Sequence, residues 1–157
     1  MVDIVAYHPS HLPEIHLQEM QQYFYDKVSD ATYAVDLAFL GEAWTALSGN
    51  RVLGCAGFFE YWPGRAAVWA VLADNIGPAM TTIHRRVLRE IKARNYARLE
   101  AIVLPALEVD ETGMVNLPSL PVGHLWANML GFKVECPIME RYTPDGKNAT
   151  LYVRMGE

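Results

Sequence analysis

The feature that most constrains the fold is the run from Leu125 to Phe132 with the extended residues after it. Gly131 predicts the end of a helix, because glycine readily takes the left-handed conformation of helix C-termini, and Phe132 then begins a strand that points into the core. Tyr142 to Asn148 contains Pro, Asp, Gly and Asn, which predicts a turn. Ala149 to Met155 alternates apolar and more polar residues, which predicts a last strand.

The preceding residues alternate between strand-like and helix-like segments. Ser10 is the predicted N-cap of the first helix, and the long loop before the last helix carries an acidic group. The predicted strands are Val2 to Ala6, Ala43 to Leu47, Val52 to Glu60, Ala66 to Ala73, Leu99 to Val103 and Phe132 to Arg141, with a bulge or edge at Pro137; the predicted helices are Ser10 to about Gln22, Ser29 to Phe39, one from Gly77 onward and Val122 to Leu130; the loop is Pro105 to Pro121.

Composition limits the classes of protein that this chain can form. With 157 residues, 52% of them hydrophobic, a single domain spanning 1–157 can bury a core without disulfides or metals. The net charge of −5 disfavours nucleic acid as a partner, since a polyanion attracts a dense Lys and Arg surface. No leader pattern and no membrane-length apolar stretch is present, so we expect a cytoplasmic protein without a membrane partner.

Neither the cysteines nor the histidines form a recognisable metal pattern. Cys55 and Cys136 lie in apolar, strand-like sequence without CxxC spacing, which predicts reduced, buried thiols. His8, His11 and His16 cluster near the N-terminus but lack the His-Glu-x-x-His spacing. We therefore expect no metal cofactor.

The order of elements, together with three local features, resembles the GNAT family of N-acetyltransferases over nearly the whole chain. The features are Gly77-Pro78-Ala79 at a helix start, Leu130-Gly131-Phe132 at a helix end, and the turn from Tyr142 that leads into the last strand. The last two are similar to phage-encoded members, including relatives of the internal virion protein of podoviruses. The resemblance implies an α+β fold with a mixed seven-stranded central sheet flanked by about four helices.

The resemblance also implies an acetyl-CoA site. In the family, a Gln/Arg-x-x-Gly-x-Gly/Ala motif holds the pyrophosphate on backbone N–H groups at a helix N-terminus, and the fourth strand pairs with the pantetheine amides. The stretch from Asp74 to Ala79 matches this motif at Gly77 and Ala79, whereas Asp74 introduces a carboxylate and Pro78 removes a donor. Arg85 and Arg86, or Arg51 and Arg65 from turns, could supply compensating positive charge. The implied contacts of acetyl-CoA, as co-substrate, are Val71, Leu72, Ala73, Asn75, Ile76, Gly77, Ala79 and Met80.

Catalysis requires a base that takes a proton from the amine and an acid that protonates the leaving thiolate. The position of the family's tyrosine acid is occupied here by Ala127, and Ala66 to Ala73 contains no carboxylate to match the family's fourth-strand base. The candidates that remain for proton transfer are Glu60, Tyr142 and His124.

Two functions follow from the resemblance. The first is an N-acetyltransferase that transfers an acetyl group from acetyl-CoA to an amine acceptor and is encoded by a phage, acting in the host cytoplasm. The alternative is a non-catalytic GNAT-like virion or morphogenesis protein, which Asp74 and Ala127 favour because a fold does not dictate its function. Modification of a nucleobase amine is a third reading, which the acidic balance disfavours. The loop from Pro105 to Pro121 is placed to frame a cationic amine, and a homodimer is an open alternative to a monomer.

Overall fold

The structure is a computed structural model that describes residues 1–18, 21, 25–114 and 122–157. Seven strands and five helices lie in these residues, which confirms the predicted number of strands. The chain divides into two compact units, Met1–Asn95 and Tyr96–Glu157. That the two fold as one domain stays a prediction. No helix in the described part of the chain combines the length and apolarity that crossing a bilayer requires.

The first unit contains a four-stranded antiparallel sheet whose strands lie side by side in chain order: β1 Asp3–Ala6, β2 Ala43–Ser48, β3 Arg51–Trp62 and β4 Arg65–Leu72. The longest strand, β3, carries the core, because every residue from Val52 to Phe58 is buried. Strand β4 is less completely buried than β3.

The N-terminal helices differ from the prediction. Instead of an α-helix from Ser10, the chain forms a 3₁₀ helix, Pro9–Glu14, whose N-cap is His8. Pro13 lies inside this helix, and a proline there has no N–H with which to continue an α-helical ladder. Part of the predicted segment, residues 19, 20 and 22, lies outside the described residues.

The second predicted helix corresponds to α2, Ala31–Phe39, and a single turn, α1, Tyr25–Val28, precedes it. Asp30 caps α2 by accepting hydrogen bonds from the N–H groups of Thr32 and Tyr33. This capping fixes the start of α2 two residues later than the predicted start at Ser29.

The helix that follows β4 is α3, Ala79–Arg94, and it ends at Asn95 in the left-handed conformation. Its buried residues are Ile83, Val87 and Ile91, which recur at helical spacing and confirm the helix predicted from Gly77 onward. Arg94, the last residue of α3, contacts the rings of Trp44 in β2 and Phe58 in β3.

The second unit contains β5 Arg98–Val103, α4 Val122–Met129, β6 Lys133–Met139 and β7 Ala149–Met155. Its three strands form an antiparallel arrangement in the order β5-β7-β6. The helix end at Gly131, with φ of 86°, and the buried side chain of Phe132 are as predicted, whereas the strand begins one residue later, at Lys133. The pairing of β6 with β7 is irregular between Cys136 and Met139, as Pro137 predicts.

Both cysteines carry free thiols. Cys55 is buried as predicted, whereas the side chain of Cys136 is partly exposed because β6 is largely solvent-facing.

Candidate functional site

The loop from Asp74 to Pro78 joins β4 to α3. Asn75 and Gly77 both take left-handed backbone conformations, with φ of 50° and 57°, and the side chain of Ile76 between them is buried. Within the described part of the chain, the backbone N–H groups of Asn75, Gly77 and Ala79 donate no hydrogen bond. A turn with several unpaired N–H groups is a typical anion-binding arrangement.

The N-terminus of α3 strengthens this arrangement. Pro78 is the N-cap residue, with no side-chain capping bond, and the first turn contains no acidic residue. The positive end of a 16-residue helix is therefore not neutralised by the helix's own side chains. Pro78 does remove a donor, as the sequence indicates, but Ala79 immediately after it supplies one.

Asp74, the carboxylate that departs from the family motif, is held by Arg51. The Arg51 Nη2 donates to the backbone oxygen of Asp74 at 2.6 Å and to its Oδ1 at 3.2 Å. The N–H of Asp74 donates to the carbonyl of His16 at 2.7 Å. Arg51 therefore offsets the charge of Asp74 and fixes the first residue of the loop.

The outward edge of β4 is the second part of the site. The N–H of Ala73 donates to Leu53 in β3, and backbone directions alternate along a strand, so Val71 and Ala73 face β3 while Ala70 and Leu72 face outward. Of the three strand residues predicted to contact acetyl-CoA, Leu72 alone presents its backbone groups on the outward edge.

Chain segments from the N-terminal region already bond to this edge. The side-chain amide of Gln21 donates through Nε2 to the carbonyl of Ala70 at 3.1 Å and accepts through Oε1 from the N–H of Leu72 at 2.8 Å. The backbone N–H of Gln18 donates to the carbonyl of Leu72 at 3.2 Å.

His124, one of the three proton-transfer candidates, is fully buried in the second unit. Its Nδ1 lies 2.8 Å from the hydroxyl of Tyr152, and its Nε2 lies 2.7 Å from the carbonyl of Pro105. A carbonyl only accepts, so Nε2 carries the hydrogen and Nδ1 accepts from the tyrosine. Burial lowers the pKa of His124 below its ordinary value, although the bond to Pro105 acts in the opposite direction. Through these two hydrogen bonds, the neutral imidazole links α4 to β7 and to the loop after β5.

Glu60 and Tyr142 are both exposed, and each lies in a different unit. Glu60 pairs with Ala66 in β4, whereas Gly54 pairs with Leu72. Glu60 therefore lies six residue positions along the sheet from Leu72, or about 20 Å. The structure does not bring Glu60 next to the outward groups of Leu72.

Ala127 is buried in α4, so the position of the family's acid holds a packing residue. In the first unit, the partly buried Tyr7 and the buried Cys55 are also unsuited to proton transfer at neutral pH. Burial raises the pKa of Tyr7 to about 12, and its hydroxyl donates to the carbonyl of Ala34 at 2.7 Å. Burial likewise raises the pKa of Cys55 to about 12, although the hydrogen bond between Cys55 and Thr45 acts in the opposite direction.

The described residues contain no cluster of three or more His, Cys, Asp or Glu side chains suited to a metal. The acidic loop carries Asp110, whose Oδ1 accepts from the N–H groups of Thr112 and Met114 at 2.9 Å. Its remaining predicted residues, 115–121, lie outside the described part of the chain.

Sequence reasoning missed the site residues Gln18 and Gln21, and it named Arg51 only as one of four arginines that could offset the charge of Asp74. Arg51 is 23 positions from Asp74, and Gln21 is about 50 positions from the β4 residues that it bonds. No local pattern in the sequence links residues at such separations.

Comparison with solved structures identifies the fold. The chain superposes on the ribosomal-protein-S18-alanine N-acetyltransferase of Escherichia coli with a TM-score of 0.66 and 12% identity, covering 100% of this chain and 95% of that one. It matches an N-acetyltransferase of Staphylococcus aureus Mu50 with a TM-score of 0.66 and 16% identity, covering 99% and 98% of the two chains.

The chain therefore has the GNAT fold. This confirms the predicted α+β fold class. A third match is a GNAT-superfamily phosphinothricin acetyltransferase of Sinorhizobium meliloti, solved in complex with AcCoA, at a TM-score of 0.67, 13% identity and coverage of 99% and 88%. No protein-family model and no curated sequence matches the chain.

Proposed function

We propose that this chain binds acetyl-CoA and transfers its acetyl group to an amine. The observation that carries the proposal is the loop before α3, where the N–H groups of Asn75, Gly77 and Ala79 are unpaired within the described residues and the helix N-terminus has no acidic cap. Such a site is suited to a pyrophosphate, because the N–H groups donate to its oxygens and the helix dipole favours negative charge. In the complex from S. meliloti, AcCoA is bound to the same fold.

Arg51 supports this assignment. Its guanidinium pairs with Asp74 at the start of the loop, and nearly half of its side-chain surface is exposed. A diphosphate placed on the loop would thus meet a cation beside the carboxylate rather than the carboxylate alone. Ile76 keeps the loop in place through its buried side chain, and Met80, in the first turn of α3, is partly exposed.

The reaction would be a direct acyl transfer. The amine nitrogen attacks the thioester carbonyl carbon, the carbon–sulfur bond breaks, and the thiolate of coenzyme A leaves. The proton that the amine loses protonates this thiolate, directly or through solvent, so the products are an amide and the free thiol of coenzyme A. Holding the two reactants in line supplies much of the rate acceleration. Of the three candidates for proton transfer we retain Tyr142, which is accessible to solvent. Glu60 lies about 20 Å along the sheet from the outward groups of Leu72, too far to exchange a proton with a thioester held there. We assign His124 a structural role because both of its ring nitrogens are hydrogen-bonded in a buried site.

A second candidate function is a GNAT-like protein that has kept the fold without turnover, of which a phage virion component is one form. The buried Ala127, in place of a tyrosine acid, favours it. The bonds of Gln21 to the outward edge of β4 also favour it, because they occupy groups that an acyl-CoA arm would use.

Calorimetric titration with acetyl-CoA tests the binding on which the first candidate depends, and release of free thiol in the presence of a panel of primary amines tests turnover. The acetyltransferase proposal expects saturable binding and amine-dependent thiol release. Binding without release for any amine would favour the second candidate. The absence of binding at millimolar acetyl-CoA would overturn the proposal. The phage origin is tested separately, by looking for the chain in purified virions.

A further inference from the structure

Gln21 makes an unusual contact with β4, since one primary amide satisfies two backbone groups of the strand. Its Nε2 donates to the carbonyl of Ala70 at 3.1 Å and its Oε1 accepts from the N–H of Leu72 at 2.8 Å. These two groups flank Val71 on the outward edge. A neighbouring parallel strand would satisfy the same pair with the N–H and the C=O of a single residue. The Gln21 amide therefore imitates one residue of an added strand.

The arm of coenzyme A carries the same chemistry. It contains two amides joined by two methylene groups, so that an N–H of one amide and a C=O of the next are separated much as they are in a strand residue. Such an arm can bond to Ala70 and Leu72 in the way that Gln21 does, but both cannot occupy these groups together.

The contacts on the next part of the edge are of a different kind. There the carbonyl of Leu72 and the N–H of Asp74 bond to the backbone of Gln18 and His16, and Leu17 forms a bridge with Ala73. Breaking backbone bonds requires the segment to rearrange, whereas the Gln21 amide is freed by rotation of its own side chain. Gln21 is thus the contact that a ligand displaces most readily.

We propose that the side-chain amide of Gln21 takes the place of the ligand's amide groups on the outward edge of β4. An acyl-CoA arm displaces this amide when it binds. This inference rests on the proposed function and adds a residue that regulates access to the site. When the site is empty, the two bonds keep Ala70 and Leu72 satisfied, since an unpaired backbone group away from water is costly. Breaking the two Gln21 bonds reduces the net free energy of ligand binding, so removing the amide should strengthen binding.

The test compares Gln21→Ala and Gln21→Met with the wild-type chain. The methionine variant keeps the approximate length of the side chain without its amide, and Gln18→Ala is the matched control, because Gln18 contacts β4 through its backbone. Two ligands are titrated by calorimetry: acetyl-CoA, which has the amide arm, and 3′-phospho-ADP, which has the phosphates without the arm.

We expect both Gln21 variants to bind acetyl-CoA about tenfold more tightly than the wild type, since two hydrogen bonds no longer compete. The affinity for 3′-phospho-ADP should stay within about twofold, and Gln18→Ala should behave as the wild type. In NMR spectra, the amide proton of Leu72 should exchange faster in Gln21→Ala and regain protection when acetyl-CoA is added.

Two results would overturn the inference and leave the proposed function intact. One is equal affinity for acetyl-CoA in the wild type and both variants. The other is a parallel weakening of both ligands, which would make Gln21 a structural support of the loop. If neither ligand binds to any variant, the proposed function itself fails and the inference fails with it.

Discussion

The guanidinium of Arg51 holds Asp74 at two points, bonding to the backbone oxygen at 2.6 Å and to the carboxylate at 3.2 Å. Both side chains are about half exposed. Because exposed ion pairs contribute little to folding, the pair should affect the charge and order of the loop more than the stability of the chain.

Replacing either member of this pair should therefore change ligand affinity in opposite directions. Arg51→Gln removes the cation and should raise the Kd for acetyl-CoA about fivefold, and Asp74→Asn removes the carboxylate and should lower the Kd by a similar factor. Glu111→Gln, the same loss of one negative charge at an exposed site in the second unit, is the control. Calorimetry at two salt concentrations gives the result. If both loop variants bind as the wild type does, the phosphates do not lie near this pair.

The backbone of Gly77 allows a second prediction. Its φ is 57°, and no atom lies within 4 Å of the place that a Cβ would occupy. Gly77→Ala should lower the free energy of unfolding by about 1 kcal/mol through backbone strain alone, and it should weaken acetyl-CoA binding because the loop amides shift. Gly146, with φ of 82° and open space around it, gives the matched control. Gly146→Ala should lose similar stability in a denaturant titration without any change in affinity, and equal affinity in both variants would argue against the loop as the binding element.

The fold was predictable where a local pattern is strong. The helical period of α3, the glycine end of α4 and the alternation in β7 each follow from side-chain spacing. The first helix was not predicted correctly, because Pro13 and the His8 cap select a 3₁₀ turn although the residues that follow are compatible with an α-helix.

The candidate site was predictable in part. The loop before α3 is visible in the sequence because Gly77 and Pro78 mark a junction between strand and helix. The role of Gln21 was not, and Arg51 could be named only as one of several arginines able to offset Asp74, because the contacts of both join residues far apart in the chain. The burial of His124, which makes a structural role the better assignment, also depends on tertiary packing, since its partners are Pro105 and Tyr152.

His124 predicts how stability depends on pH. Burial lowers its pKa in the folded chain below the ordinary value of 6.5. The unfolded chain therefore binds a proton that the folded chain does not, so the free energy of unfolding falls as the pH drops below about 6.5. Denaturant titrations between pH 7 and about pH 5.5, above the range in which most carboxylates titrate, measure this slope.

The variant His124→Gln separates this contribution from others. A glutamine amide can donate to the carbonyl of Pro105 and accept from Tyr152, but it does not titrate. We expect a shallower slope over the same pH range. Tyr152→Phe, which removes the hydroxyl and leaves the imidazole, should lower stability at every pH and keep the slope. An unchanged slope in His124→Gln would contradict a buried neutral imidazole.

Arg94 gives a prediction about stability within the first unit. Its guanidinium lies 5.0 Å from the ring centre of Trp44 and 4.9 Å from that of Phe58, and it forms ion pairs with Glu90 and Glu42. Arg94→Leu should lower the free energy of unfolding by about 1–2 kcal/mol, because the ring contacts and a partly buried carboxylate lose their cation.

Arg94→Lys is the informative comparison for this site. Lysine keeps the charge but lacks the planar group that stacks on rings and bonds to two carboxylates. It should recover less than half of the loss in thermal or denaturant unfolding. Full recovery would show that charge alone accounts for the role of Arg94.

The most direct test of the central claim is a titration of isotope-labelled protein with acetyl-CoA, followed through the backbone amide signals. We predict that the amides of Asn75, Gly77 and Ala79 shift together, with the same saturable dependence on ligand concentration, and that 3′-phospho-ADP moves the same three signals. If these signals stay unchanged at millimolar acetyl-CoA, or if the shifts occur only elsewhere in the chain, the loop before α3 does not hold the phosphates and the account is contradicted.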